Sequence, residues 1–222
     1  MEERNRRPSK AELEEDQFLE WVLNAVNYVK ARAQLFIGGG VALVAVVVMT
    51  NFVQGQRVEA RSRAASLLFD ASIADQSGQV ERVLTLAQQL VDEYAGTPSA
   101  AHGMILLANR HFALGRYADA QRLYQRYLDE EGDLEPLVFA ARTGLAGCLE
   151  AQGNLGAAAA AYVAYANDNP DHGPSSIALM DAARCYRLLG DSVQHRAALE
   201  RVTREYSDTP VAQRAREQLS LL

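Results

Sequence analysis

The stretch Ala113–Leu128, ALGRYADAQRLYQRYL, is echoed 38 residues later by Ala151–Ala166, AQGNLGAAAAAYVAYA. In each, a glycine closes one helix and opens a short turn into another, because glycine takes the left-handed backbone that a helix end needs. After it come Tyr117 or Leu155, then Ala120 or Ala158, then Tyr124 or Tyr162, then Tyr127 or Tyr165. The small residues at 120 and 158 let the two helices of a hairpin approach closely. The tyrosines fill the gap to the next hairpin. Upstream, Leu107-Ala108 and Leu145-Ala146 hold equivalent places on the first helix of each pair.

The period extends both ways. Gly78, Gly115, Gly153 and Gly190 are separated by 37, 38 and 37 residues. A fourth unit keeps Ala183, Tyr186, Gly190 and Leu199 but puts His195 where a small residue is expected, which predicts looser packing there. The first unit is the most diverged, yet it shares its ending with the fourth: Glu93-Tyr94-Ala95-Gly96-Thr97-Pro98 against Glu205-Tyr206-Ser207-Asp208-Thr209-Pro210. This pattern resembles the tetratricopeptide repeat (TPR), a helix-turn-helix unit of about 34 residues. The extra residues per unit are assigned to longer loops between hairpins, Glu131–Pro136 and Asp168–Pro174. Residues 211–222 are expected to form a last helix covering the exposed end of the stack.

A second feature is the uncharged run from Ala33 to Gln56, 24 positions long, which contains LFIGGGVALVAVVVMTNFV at 35–53. About 20 mainly apolar residues cross a bilayer's hydrocarbon core as a helix. A cleavable signal peptide has a shorter apolar region close behind a basic start; here 34 residues precede Leu35. The reading is an uncleaved single span. Gly38, Gly39, Gly40 and Ala42 would let another helix approach. Six basic residues in the short arm before the span put the arm in the cytoplasm and the long domain outside.

Within the arm, Ser9-Lys10-Ala11-Glu12 reads as a capping box. Leu19, Val22, Leu23, Val26 and Val29 then follow at helical spacing. Trp21 and Tyr28 suit a membrane interface, but Glu12, Glu14, Glu15, Asp16 and Glu20 are repelled by anionic lipid. A partner protein is therefore preferred to lipid as what this helix touches, with a solvated face that docks on nothing as the alternative. The expected fold is thus all-α. It has an arm 1–34, a transmembrane helix 35–53, TPR-like repeats over 54–210 (about 59–98, 99–136, 137–174 and 175–210) and a capping helix 211–222.

The layout also resembles the YfgM-like family, on Glu14-Glu15-Asp16-Gln17, the span, and Arg57–Ala71. That resemblance implies a single-pass protein of the bacterial inner membrane with a periplasmic TPR domain. Its members are non-catalytic accessories of the protein-export channel.

No catalytic chemistry is legible. There is no phosphate loop, nucleophile elbow, HExxH or CxxC. His102, His111, His172 and His195 lack metal-ligand spacing, so neither a metal nor a cofactor is expected. A net charge of −6 gives no affinity for nucleic acid. Cys148 and Cys185 read as two buried thiols, with one bridge as the alternative. Protein binding remains. Aligning on the glycines puts His102, Ile105, Asn109 and Phe112 on the concave face of the second unit. The third contributes Ala140, Thr143, Gly147 and Glu150, and the fourth Ile177, Met180, Arg184 and Arg187. These could hold an extended peptide or a partner's acidic edge. Two functions fit: an accessory subunit of an inner-membrane complex (export, respiratory or photosynthetic), or a tethered periplasmic chaperone for exported clients. Neither calls for a small-molecule substrate.

Overall fold

The computed structural model describes residues 10–130, 132 and 134–222, and side chains at all of these except 10–17, 33–42 and 45. Among the described residues the chain is ten α-helices and no strand: α1 Lys10–Ala31, α2 Ala33–Gln76, α3 Val80–Glu93, α4 Pro98–Ala113, α5 Tyr117–Glu130, α6 Glu135–Ala151, α7 Leu155–Asp168, α8 Gly173–Leu189, α9 Ser192–Glu205 and α10 Pro210–Leu219. It divides into two compact units, Met1–Val58 and Glu59–Leu222.

The first unit holds α1 and the opening of α2. A turn at Arg32 separates the two helices, so the arm helix does not run unbroken into α2. The Arg32 guanidinium donates to the Tyr28 hydroxyl at 3.0 Å and stands 4.9 Å from that ring's centre. The expected span lies in α2 without support as a membrane crossing: among the described residues no helix is long and apolar enough to cross a membrane. The Ser9 cap, and the packing surface expected at Gly38, Gly39, Gly40 and Ala42, lie outside the described residues and side chains. Farther along α2, Thr50 donates to the Val46 and Val47 carbonyls and Asn51 to Val47, each at 2.9 Å. Both polar side chains are thereby satisfied within their own helix.

The second unit is a run of helix hairpins. Gly115 shows why each turns where it does. Its φ of +72° is left-handed, the region where an L side chain is strained and glycine is not. That conformation lets the Arg116 amide reach back to the His111 carbonyl at 2.9 Å, which satisfies a carbonyl the helix end would orphan. The same five-residue reach recurs from Gln79 to Ala74, from Asn154 to Leu149 and from Asp191 to Tyr186. The common ending of the first and fourth units also has a structural cause. Thr97 and Thr209 are N-caps that accept the amides of Ala100 and Ala212, while their hydroxyls donate back to Tyr94 and Tyr206.

Two expectations need correction. The extra residues do not lengthen the loops. The links 94–97, 169–172 and 206–209 are each four residues, and Pro136 and Pro174 sit in the first turns of α6 and α8. A proline there removes an amide that has no helical partner anyway, so the helix absorbs it. Nor is the fourth hairpin loose. His195 is 4% exposed, and its Nδ1 lies 2.8 Å from the Ala183 carbonyl on α8. The ring fills the space that Ala120 and Ala158 leave small, and its hydrogen bond replaces close backbone approach.

Packing runs hairpin to hairpin. One apolar cluster joins α3 to α6, a second α6 to α8, and a third α7 to α10. Each unit therefore completes its core only against its neighbours, the mark of a solenoid. Tyr124 illustrates the contact. Its ring lies on the backbone of Gly144 in the next hairpin, where a Cβ would come within 2.4 Å of the ring. Its hydroxyl donates to Asn109 Oδ1 at 2.6 Å. Tyr206 reaches back 36 residues to the Pro170 carbonyl at 2.7 Å. The α10 helix buries Ala212 and Ala215 against α8 and α9. The first helices α4, α6, α8 and α10 touch one another in sequence, whereas α5, α7 and α9 do not. The first helices therefore form the inner, tighter layer of the curve.

Two stability measurements check this packing. Gly144→Ala forces the hydrogen-bonded Tyr124 ring to move and is expected to cost about 1–3 kcal/mol, whereas Gly156→Ala, with nothing within 4 Å, is expected to raise stability by about 0.5–1 kcal/mol; equal effects in urea melts contradict the contact. Thr209→Ala is expected to cost about 1 kcal/mol, and an unchanged melt removes the cap.

Candidate functional site

The inner layer brings some of the expected binding residues to the surface and withdraws others. His102 is exposed, with Nδ1 2.9 Å from the Pro98 carbonyl. Asn109 is also exposed, but its side-chain oxygen already accepts from Tyr124. Ile105, at 5% exposure, belongs to the core and offers almost no surface. Phe112 is half-buried, edge-on to Tyr117 with ring centres 5.5 Å apart. It also lies close to Gly147 on α6, whose missing side chain leaves room for it. The α4 side of the inner layer is thus mostly committed to packing. Arg110 there, which no repeat position singles out, donates to Asp75 of α2 at 2.9 Å and ties the first hairpin to the second.

Charge gathers farther along. Arg184 on α8 makes a two-point contact with Glu150 on α6, Nε to Oε1 at 2.8 Å and Nη2 to Oε2 at 2.6 Å. Its third nitrogen donates to Asp181 at 2.6 Å. A guanidinium forked this way is held in orientation as well as in place. The Tyr162 hydroxyl approaches Glu150 at 3.4 Å. The Arg184 hydrogen bond holds the Glu150 carboxyl below its ordinary range. Asp181 moves the other way: burial raises its pKa and outweighs the attraction of Arg184. Both residues of the Glu150–Arg184 pair carry inner-face positions in the repeat alignment. Their mutual pairing is invisible there because 34 residues separate them.

Beside this fixed arginine opens a cleft of about 260 Å³ between α8 and α10, lined by Ile177, Met180, Asp181, Arg184, Arg187, Arg214 and Gln218. Arg184 is neutralised. Arg187 and Arg214 have no ion pair among the described residues. Ile177 is exposed and Met180 half-buried. The cleft therefore offers two free cations over an apolar floor. Larger hollows exist, such as one of about 520 Å³ lined by Gln88, His111, Asp119, Arg122, Leu123 and Arg126. Its arginines, however, are spent on Asp119 and Glu130. Arg214 and Gln218 escape a sequence reading that gives α10 only a covering role. The shared Thr-Pro start of α4 and α10 puts Arg214 at the place of His102, so a signal exists.

Among the described residues no group of three or more His, Cys, Asp or Glu could hold a metal ion. Cys148 and Cys185 are free and buried, and burial pushes both thiols up to about 11. A thiol that is neutral at ordinary pH is a poor nucleophile.

Comparison with known proteins agrees with the geometry. A tetratricopeptide repeat family model matches residues 105–172, and a second of the same description matches 177–209. A Podosopora anserina protein of nearly identical TPR-like repeats is similar at 24% identity, over 72% of this chain and 84% of that one, with a TM-score of 0.57. A tetratricopeptide repeat protein from Parabacteroides merdae is similar at 13% identity, over 70% of this chain and 58% of that one, with a TM-score of 0.56. No curated protein sequence matches the chain. Residues 105–172 and 177–209 are tetratricopeptide repeats, and the solenoid they build is a protein-interaction scaffold.

Proposed function

We propose that this chain is a non-catalytic scaffold, tethered to the bacterial inner membrane through residues 35–53, with its repeats in the periplasm and its arm in the cytoplasm. In this reading it is an accessory subunit that holds an acidic segment of another protein in the complex. The α8–α10 cleft carries the reading: Arg187 and Arg214, without an ion pair among the described residues, stand beside Ile177 in a chain whose net charge is −6. Arginine favours carboxylates through paired, planar hydrogen bonds, and an extended peptide can add apolar contact at Ile177 and Met180. The neighbouring Arg184, locked by Glu150 and Asp181, shapes the wall without competing for the ligand.

The tether rests on the uncharged run Ala33–Gln56 and on the exposed Val44, Val46, Val47, Val48, Met49 and Phe52. The self-satisfied Thr50 and Asn51 add to it, since a polar group that bonds within its own helix costs less in hydrocarbon. The division into arm 1–34, span 35–53, repeats 54–210 and cap 211–222 belongs to this proposal.

The test is co-migration. From native membranes in mild detergent, the chain is expected to run with a larger complex. Arg187→Glu combined with Arg214→Glu is expected to release it while leaving its melting temperature unchanged. A wild-type chain that runs alone, or a variant that stays in the complex, overturns the reading.

A further inference from the structure

The α1 helix leaves a broad apolar face uncovered. Phe18, Leu19, Trp21, Leu23, Val26 and Val29 are all exposed, Trp21 to 68%. Phe18 and Trp21 stack with ring centres 6.3 Å apart. At the middle of this face Phe18, Val22, Ala25 and Val29 recur at intervals of four, three and four, and Arg32 stands three residues beyond. That alternation is the seam of a two-helix coiled coil, which a helix lying alone does not need. Trp21 flanks the seam on one side, Leu19 and Val26 on the other.

The charge along α1 is lopsided. Its first half contains Glu12, Glu14, Glu15, Asp16 and Glu20, while its end carries Lys30, with Arg32 just past it. This pattern selects the occupant. An anionic lipid surface repels the first half. A parallel copy sets acid against acid along that same half. A copy running the opposite way sets the acidic half of each helix against the basic end of the other, at both ends at once. We infer that α1 pairs with α1 of a second copy of this chain in antiparallel register, with the two-fold axis passing between residues 23 and 24. In that register Phe18 faces Val29 of the partner and Val22 faces Ala25 of the partner, so bulk meets smaller residues in each layer. The inference is independent of the α8–α10 cleft.

The full-length chain in detergent micelles and in lipid nanodiscs supplies the test. Phe18→Cys and Val29→Cys are placed on separately tagged chains, alone and mixed. The native Cys148 and Cys185 are buried and stay out of the chemistry. The mixture is expected to cross-link on mild oxidation, and each variant alone is not, because identical positions then lie about 16 Å apart along the seam. Arg32→Glu is expected to weaken the dimer at least tenfold by sedimentation, and Glu15→Arg in the same chain to restore it, because residues 15 and 32 face each other in this register. Circular dichroism confirms that each variant keeps its helix content. Three outcomes overturn the inference: cross-linking of Phe18→Cys to itself, which means parallel pairing; no cross-link with a blue-shifted Trp21 emission in nanodiscs, which means lipid covers the face; and a monomer in both media.

Discussion

The structure depends on a contact that no single hairpin can make. Each pair of helices buries part of an apolar face against itself and leaves the rest for its neighbour. The Tyr124 ring is the clearest case. It lies against the bare backbone of Gly144 in the following hairpin while its hydroxyl holds Asn109 in its own. Remove the next hairpin and an aromatic ring, otherwise 2% exposed, faces water. Stacking is therefore a condition of stability here. The α10 helix follows the same logic, because Ala212 and Ala215 are fully buried against its neighbours.

That condition divides the labour between the two layers. The outer helices α5, α7 and α9 lie apart, and their arginines are mostly spent on carboxylates of their own helix, as with Arg126 and Glu130 or Arg201 and Glu205. The inner helices touch, so their polar groups reach across hairpins. Arg110 meets Asp75, and Arg184 meets Glu150. These pairs tie each hairpin to the next along the inner face. At the α8–α10 cleft Arg184 is taken by Glu150 and Asp181, while Arg187 and Arg214 have no ion pair among the described residues.

Much of this is legible in the sequence because the signals are local. A glycine that turns a helix, an alanine that lets two helices meet and a threonine that caps the next one all act within a few residues. The positions of Gly78, Gly115, Gly153 and Gly190 are enough to place the hairpins. Features that escape depend on shape or on distance. Pro136 and Pro174 look like loop residues, yet a proline in a first helical turn is nearly indistinguishable from one just outside it. His195 breaks the small-residue rule and is rescued by one carbonyl on another helix. Ile105 shares the helical face of His102 and Asn109 but lies deep enough to join the core. The run 35–53 reads as a span by composition, and the described residues do not support it as one. At the site, Arg184 and Arg187 are legible through repeat alignment. Arg214 becomes legible only when that alignment is extended to α10, whose Thr-Pro start repeats that of α4.

The central claim is that the inner layer works by holding a protein at its α8–α10 end. Hydrogen exchange compared between the free chain and the chain in its native complex tests this most directly. The account predicts slowed exchange confined to α8 and α10, with α5, α7 and α9 unchanged. Protection falling on the outer helices, or exchange identical in the two states, contradicts it.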